Sequence, residues 1–316
     1  MSKKQNLIII SGPTAAGKTA LSIRLAKEID GSIISADSMQ VYKRMDIGSA
    51  KISKDEMQGI KHYLIDILEP TEDFNIALFK EYAKDAIYKI NKDNKIPIVV
   101  GGTGFYIQAL LYDISFDENA SENTQIRDEL NNLAIKYGNE YIHNILKEVD
   151  VEAANSIHPN NIKRVIRAIE YYRLTGERIS EHNEIQHSKE SPYNYKYFVI
   201  NQDREVLYKN IDKRVDIMVE NGLVEEVSRL KKEGLSRDYV SMNGLGYKEI
   251  LDYLDNKCTL DEAIEIIKRD TRHFAKRQLT WFRREKDVTW INKEDFVNDE
   301  QILDYIKEQI KSEGII

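Results

Sequence analysis

The feature that most constrains this chain is Gly12-Pro13-Thr14-Ala15-Ala16-Gly17-Lys18-Thr19, set directly after the apolar run Leu7-Ile8-Ile9-Ile10-Ser11. The pattern G-x-x-x-x-G-K-[ST] carries meaning between a buried strand and a helix, and the flanking residues predict both. Leu21, Leu25 and Ile29 recur at i, i+4 and i+8, so the segment after the loop has an apolar face to lay on a sheet. Backbone N–H groups of such a loop point inward and cradle phosphate oxygens. Lys18 would add a point charge and Thr19 a hydroxyl for Mg²⁺. The loop is therefore expected to grip a di- or triphosphate, and it leaves open what happens to that group.

The neighbouring segments extend the pattern. Short, apolar, β-branched runs at 7–11, 32–36 and 96–100 read as strands, and helical periodicity lies between them at 18–29 and 75–91. Alternation of this kind predicts an α/β fold with a P-loop NTPase-like parallel sheet core. The 96–100 strand runs into Gly101-Gly102-Thr103-Gly104, a second glycine-rich turn at the edge where such sheets bind ligands. From 115 to 195 the chain turns polar and helical, with a turn expected at Asp117–Ser121, so this stretch reads as a helical insertion domain. Tyr195–Ile200 reads as a strand resuming the sheet. The core is then 1–114 with 196–316, and 203–316 is mainly helical.

Composition narrows the setting. A chain of 316 residues, 41% hydrophobic and 31% charged, can bury a substantial core. No apolar run is long enough for a signal peptide or a membrane span, and Cys258 is the single cysteine, so a cytoplasmic protein without membrane contact is expected. The net charge of −7 argues against non-specific coating of nucleic acid. Between Lys268 and Lys286, however, eight basic residues face only Asp270 and Glu285. Arg269, Arg272, His273, Lys276 and Arg277 fall on one helical stripe, which is costly unless an anion faces it, and RNA phosphates are one candidate. A solvated basic face is the other reading. Trp281 and Phe282 read as core.

Individual residues remain ambiguous on spacing alone. Asp37 follows a strand at the ligand edge, where it can act as a general base, hold Mg²⁺ through water, or simply close a turn. Thr103 can donate to a phosphate oxygen or belong to an ordinary strand-to-helix turn. No acid ends the 96–100 strand, and Asp66 is the nearest substitute for a Mg²⁺-holding aspartate, which weakens an ATPase or GTPase reading. Arg204, Lys213 and Arg214 flank a helical stretch and can be solvated or can neutralise a leaving diphosphate. The six histidines show no zinc spacing.

An ordered set of further motifs supplies a resemblance. Besides the P-loop they are Ser35-Ala36-Asp37-Ser38-Met39-Gln40-Val41-Tyr42, Met45–Lys51, Val100–Tyr106, His158-Pro159-Asn160-Asn161 with Arg164, Gly244–Glu249 and Thr271–Arg283. With these the chain resembles, end to end, the bacterial tRNA dimethylallyltransferase family. The resemblance implies transfer of a dimethylallyl group from dimethylallyl diphosphate to N6 of the adenosine 3′-adjacent to the tRNA anticodon, with Mg²⁺ assisting. It implies Asp37 as general base, with Thr103 and Arg214 at the leaving diphosphate and Thr14, Lys18 and Thr19 holding it from the other side. Ser38, Met39 and Gln40, with Asp37 and Thr103, would meet the target base once it leaves its stack. The insertion would hold the anticodon stem-loop, with Gln125, Arg127, Asn161 and Arg164 at the tRNA, and Arg272 and Lys276 would add phosphate contacts. The chain matches the short bacterial form rather than relatives with a C-terminal zinc finger, and a monomer is expected. Competing readings are an adenylate isopentenyltransferase, a P-loop small-molecule kinase and a non-catalytic RNA-binding module.

Overall fold

The computed structural model describes residues 4–114 and 124–316, which fall into two compact units, Met1–Leu111 with Pro192–Ile316 and Tyr112–Ser191. The turn expected at Asp117–Ser121 lies outside the described residues.

The first unit is built on a six-stranded sheet of β1 (Gln5–Ser11), β2 (Gly31–Ser35), β3 (His62–Tyr63), β4 (Ile96–Gly101), β5 (Tyr193–Asn201) and β6 (Val288–Asn292). The order is β3-β2-β4-β1-β5-β6 and all pairs are parallel. Leu7 through Ile10 are completely buried, as expected of a central strand covered on both faces. The helices of this unit are α1 (Lys18–Glu28), α2 (Ile76–Lys92), α3 (Gly104–Leu111), α9 (Arg204–Glu220), α10 (Leu223–Lys232), α11 (Tyr247–Leu254), α12 (Leu260–Phe282) and α13 (Asp299–Ser312). Leu21 and Leu25 of α1 and Ile302 and Ile306 of α13 share one core with Ile8 and Ile10 of β1. On α2 and α3, Phe79 and Tyr106 stack with ring centroids 4.6 Å apart.

Register decides where ligands can sit. Ser11 pairs with Gly101, and Ser35 with Val100, so β1, β2 and β4 end in step and their following loops emerge along one edge. The P-loop, residues 36–40 and the Gly101–Gly104 turn therefore meet there. Two strands lay beyond the sequence reading. Two residues are too few for β3 to show an alternation, and β6 directly follows the basic run. Strand β5 also begins earlier than expected, at Tyr193, whose side chain is buried.

The second unit is helical: α4 (Thr124–Tyr137), α5 (Asn139–Val149), α6 (Val151–Ser156), α7 (Ile162–Thr175) and α8 (Ile179–Ser188). Leu130, Ile142, Leu146, Val165 and Ile169 form its core. Among its described residues two acids are buried, Asp150 and Glu170, and both are satisfied. Glu170 accepts from Arg127 at 2.9 and 3.0 Å and from Arg167 at 3.1 Å. Asp150 caps α6 by accepting from Ala153 N at 2.9 Å and ties down α8 by accepting from Ser180 N at 3.0 Å and Ser180 Oγ at 2.8 Å.

Burial pushes the Asp150 carboxyl up, but its hydrogen bonds from Ala153 and Ser180 and the Arg178 charge outweigh that and leave it below the usual carboxylate range. Its ionised form therefore stabilises the fold above the unfolded carboxylate value, and that stabilisation fades as pH falls through the lowered folded value. Asp150→Asn is expected to cost about 1–3 kcal/mol at neutral pH. Thermal unfolding of the two proteins should show the gap closing as pH drops below the carboxylate range.

Candidate active site

A cavity of about 590 Å³ opens at the carboxyl edge of the sheet, lined by the P-loop, residues 37–40, the Gly101–Thr103 turn, α9 and α12. Its floor depends on a backbone approach. A Cβ on Gly12, which sits at φ +142°, would lie 2.3 Å from the Ile200 carbonyl oxygen of β5. Only glycine fits there. Gly17 then takes a left-handed conformation as the N-cap of α1, turning the first-turn amides of that helix toward the space above the loop.

Two cations converge on that space. Lys18 Nζ donates to the carbonyls of Gly12 at 2.9 Å and Pro13 at 2.7 Å. Burial first and the Arg214 charge second hold its ammonium down to about 7, with Asp37 opposing both. Arg214 reaches in from α9 and donates to Thr14 Oγ1 at 3.3 Å. Burial also lowers its guanidinium from the ordinary value, and Asp37 again opposes. Two cations short of hydration form a pocket able to receive an anion.

Asp37 follows β2 and lines the same cavity. Its Oδ1 accepts from Met39 N at 2.8 Å and Gln40 N at 3.3 Å. The turn-closing role is thus real, and it also fixes the carboxylate beside the two cations. Thr103 lines the opposite wall. Its N–H donates to Ala36 O at 3.4 Å and its carbonyl accepts from Tyr106 N at 3.0 Å, so it too serves the turn and the cavity together. Thr19, an exposed residue, lines the cavity beside Lys18, and Ser38, Met39 and Gln40 line it beside Asp37. Asp66 does not belong to this group: it accepts from Lys51 Nζ at 2.6 Å. Of the three basic residues expected near α9, Arg214 lines the cavity, Lys213 is exposed, and Arg204 stacks over Tyr208 at 5.1 Å.

Two site residues carry no sequence signal of their own. Glu226 of α10 is buried and accepts from the backbone N–H groups of Asp46 and Ile47 at 2.9 Å and Gly48 at 3.0 Å. It also accepts from Tyr247 Oη at 2.8 Å. Burial, then the Glu226 charge, keeps the Tyr247 hydroxyl well above its ordinary value. This carboxylate fastens the 46–48 turn, whose continuation, Ala50, accepts from Gln40 Nε2 at 3.3 Å. Gln278 of α12 spans the P-loop and the Gly102 turn. Gln278 enters the sequence reading only within the Thr271–Arg283 motif, and Glu226 not at all.

The basic stripe on α12 is partly neutralised within the protein. Arg272 pairs with Asp212, and Lys268 with Asp216 at 2.7 Å, both acids on α9. Arg269 turns to Asp270 at 2.9 Å. Lys276 and Arg277 are exposed, and Arg277 reaches the cavity. Phe282 is buried and Trp281 packs against Gly104.

In the helical unit, Gln125, Asn161 and Arg164 are exposed. Arg127 is held by Glu170. The Asn161 N–H donates to His158 O at 2.8 Å, its carbonyl accepts from Arg164 N at 2.9 Å, and the His158 ring accepts from Asn160 N at 3.2 Å. His158 shapes this turn.

Known proteins match this chain along its length. A family model described as IPP transferase matches residues 40–285, and one described as Isopentenyl transferase matches residues 5–69. A tRNA dimethylallyltransferase of Lachnoclostridium phytofermentans is 61% identical over 299 residues, 95% of each chain. One of Acetivibrio thermocellus is 51% identical over 310 residues, 98% of this chain and 99% of its own. Among solved structures, the tRNA delta(2)-isopentenylpyrophosphate transferase of Staphylococcus epidermidis is 44% identical with a TM-score of 0.72, covering 98% of this chain and 100% of its own. A eukaryotic dimethylallyltransferase described as acting on tRNA is 30% identical with a TM-score of 0.78, covering 91% and 74%.

The Lys18 environment predicts proton uptake on anion binding. Below about pH 7 the ammonium already holds its proton, so Lys18 adds no pH dependence to the affinity for inorganic pyrophosphate. At higher pH the complex must take a proton up, and affinity falls as pH rises. Calorimetry near pH 8 in buffers of different ionisation heat should read uptake approaching one proton beyond the titration of pyrophosphate itself. Lys18→Met should remove that uptake and most of the affinity.

Proposed function

The chain belongs to the IPP transferase family, and on that premise we propose how its cavity works as a tRNA dimethylallyltransferase. The dimethylallyl group passes from dimethylallyl diphosphate to N6 of the adenosine 3′-adjacent to the anticodon. The observation that carries this reading is the meeting, in one cavity, of a two-cation anion receptor (Lys18 and Arg214) with the oriented carboxylate of Asp37.

The bond between C1 of the donor and its diphosphate oxygen breaks, and the bond between C1 and N6 forms. Negative charge grows on the leaving oxygen, and Lys18, Arg214 and the Thr103 hydroxyl, which line the cavity, would take it up. The N6 lone pair is delocalised into the adenine ring, so attack is helped by a base that accepts the departing N6 proton. Asp37 fills that role, its orientation held by the Met39 and Gln40 amides. Thr14 supports Arg214 from below. Ser38, Met39 and Gln40, which line the cavity beside Asp37, would meet the edge of the extruded base. Products are N6-isopentenyladenosine in tRNA and diphosphate.

Among the described residues no group of three or more His, Cys, Asp or Glu side chains could hold a metal ion by itself. Mg²⁺ keeps several waters and is held chiefly by substrate phosphates. The Thr19 hydroxyl and the donor diphosphate would hold it, and it would neutralise charge on the leaving group. The helical unit is proposed to carry the anticodon stem-loop through Gln125, Asn161 and Arg164. Arg127 has a structural partner in Glu170, so its contribution is divided. Among the described residues no helix is long and apolar enough to cross a membrane; the cytoplasm is proposed as the enzyme's place because its proposed substrate is tRNA. We take the monomer as its working form.

Labelled dimethylallyl diphosphate with Mg²⁺ should label unmodified tRNA and not AMP; label on AMP alone would overturn the tRNA assignment. Asp37→Ala should lower turnover by about 10²–10⁴ while donor binding survives. Lys276→Ala with Arg272→Ala should weaken tRNA binding and flatten its dependence on salt. Since Arg272 already pairs with Asp212, the Lys276 change is expected to carry more of the salt effect.

A further inference from the structure

Helix α12 turns one face toward the loops that surround the anion receptor, and Gln278 is the polar side chain buried on that face, 6% exposed. Both ends of its amide are engaged. Oε1 accepts from Thr14 N at 3.0 Å, and Nε2 donates to Gly102 O at 2.9 Å. One partner belongs to the P-loop after β1, the other to the turn after β4, so one amide joins the two loops between which a diphosphate would lie. The approach is tight enough to dictate the residue opposite: a Cβ on Gly102 would fall 2.1 Å from Gln278 Nε2. Contacts further along α12 and just past its end continue the docking. Trp281 packs over Gly104, where a Cβ would meet its ring at 2.2 Å, and Glu285 accepts from Gln108 Nε2 at 3.2 Å.

What Gln278 touches explains what it would control. Thr14 N–H is spent on Gln278, while the Thr14 hydroxyl accepts from Arg214, so moving this residue moves the support of a receptor cation. Gly102 immediately precedes Thr103, so shifting its carbonyl shifts the opposite wall. A buried amide facing one donor and one acceptor can satisfy both only in a single orientation.

We infer that Gln278 is a positioning residue of the diphosphate site, holding the P-loop and the Thr103 turn at the separation at which Lys18, Arg214 and Thr103 face one anion. Its kinetic consequence rests on the transferase reading; its effect on anion binding does not.

The test is pyrophosphate titration of Gln278→Met, which keeps the volume and removes both hydrogen bonds, alongside tRNA prenylation kinetics. The variant should bind inorganic pyrophosphate about tenfold more weakly. The KM for dimethylallyl diphosphate should rise in parallel and the KM for tRNA stay unchanged, whereas a general loss of packing would disturb both substrates. Gly102→Ala attacks the same contact from the other side and serves if the Met variant does not fold. It should weaken pyrophosphate binding strongly in the wild-type background and far less once Gln278→Ala has cleared the space. A wild-type Kd for Gln278→Met, or strictly additive effects of the Gly102 and Gln278 changes, would overturn the inference. If the unaltered protein transfers no label to tRNA, the transferase reading fails while the pyrophosphate titration still decides the role of Gln278.

Discussion

Lys18 and Arg214 are held side by side in a poorly hydrated cleft, and the rest of the site is arranged around that repulsion. The Arg214 charge lowers the hold of Lys18 on its proton, and both groups have lost water. Without a bound anion the cost is relieved by makeshift partners: two P-loop carbonyls for Lys18, the Thr14 hydroxyl for Arg214, and the Asp37 carboxylate as opposing charge. A diphosphate replaces these partners with full negative charge. The receptor is therefore tuned for its anion by being uncomfortable without it, and its strength depends on how rigidly the loops keep the two cations together.

That rigidity comes from outside the P-loop. Close backbone approach at Gly12 fixes the loop against β5. Glu226 gathers three amides of the 46–48 turn and, through Ala50 and Gln40, steadies the turn that carries Asp37. Gln278 closes the remaining side. The Glu226 and Gln278 bonds satisfy buried polar groups that would otherwise cost free energy, so the scaffold gains stability from the same bonds that orient the site.

This division also explains what could be read from the sequence. The P-loop was legible because strand, loop and helix agree within a short stretch, and the α/β core followed from hydrophobic periodicity. Asp37, Thr103 and Arg214 were ambiguous alone because each has a plausible local role, and the structure gives Asp37 and Thr103 that local role as well as a place in the cavity. Gln278 and Glu226 were silent because their partners are backbone groups 264 and 180 residues away in the chain, which no local pattern encodes. Strand β3 failed for a different reason, being two residues long and held by its neighbour rather than by its own propensity. The charge count of α12 was legible, but its meaning depended on Asp212 and Asp216, which lie on α9.

The pairing of α9 with α12 draws these threads together. Arg214 points from α9 into the cavity, while Asp212 and Asp216 of the same helix hold Arg272 and Lys268 of α12. Helix α12 in turn sends Gln278 to the P-loop. The ion pairs between the helices are partly exposed and individually weak. Their use is geometric: they keep the helix that supplies a receptor cation in register with the helix that spaces the phosphate loops. The exposed Lys276 and Arg277 then lie on a helix whose position is already fixed by the diphosphate site. A polyanion meeting those side chains would meet a surface whose orientation the small-molecule site has set in advance, so that less ordering remains to be done on binding.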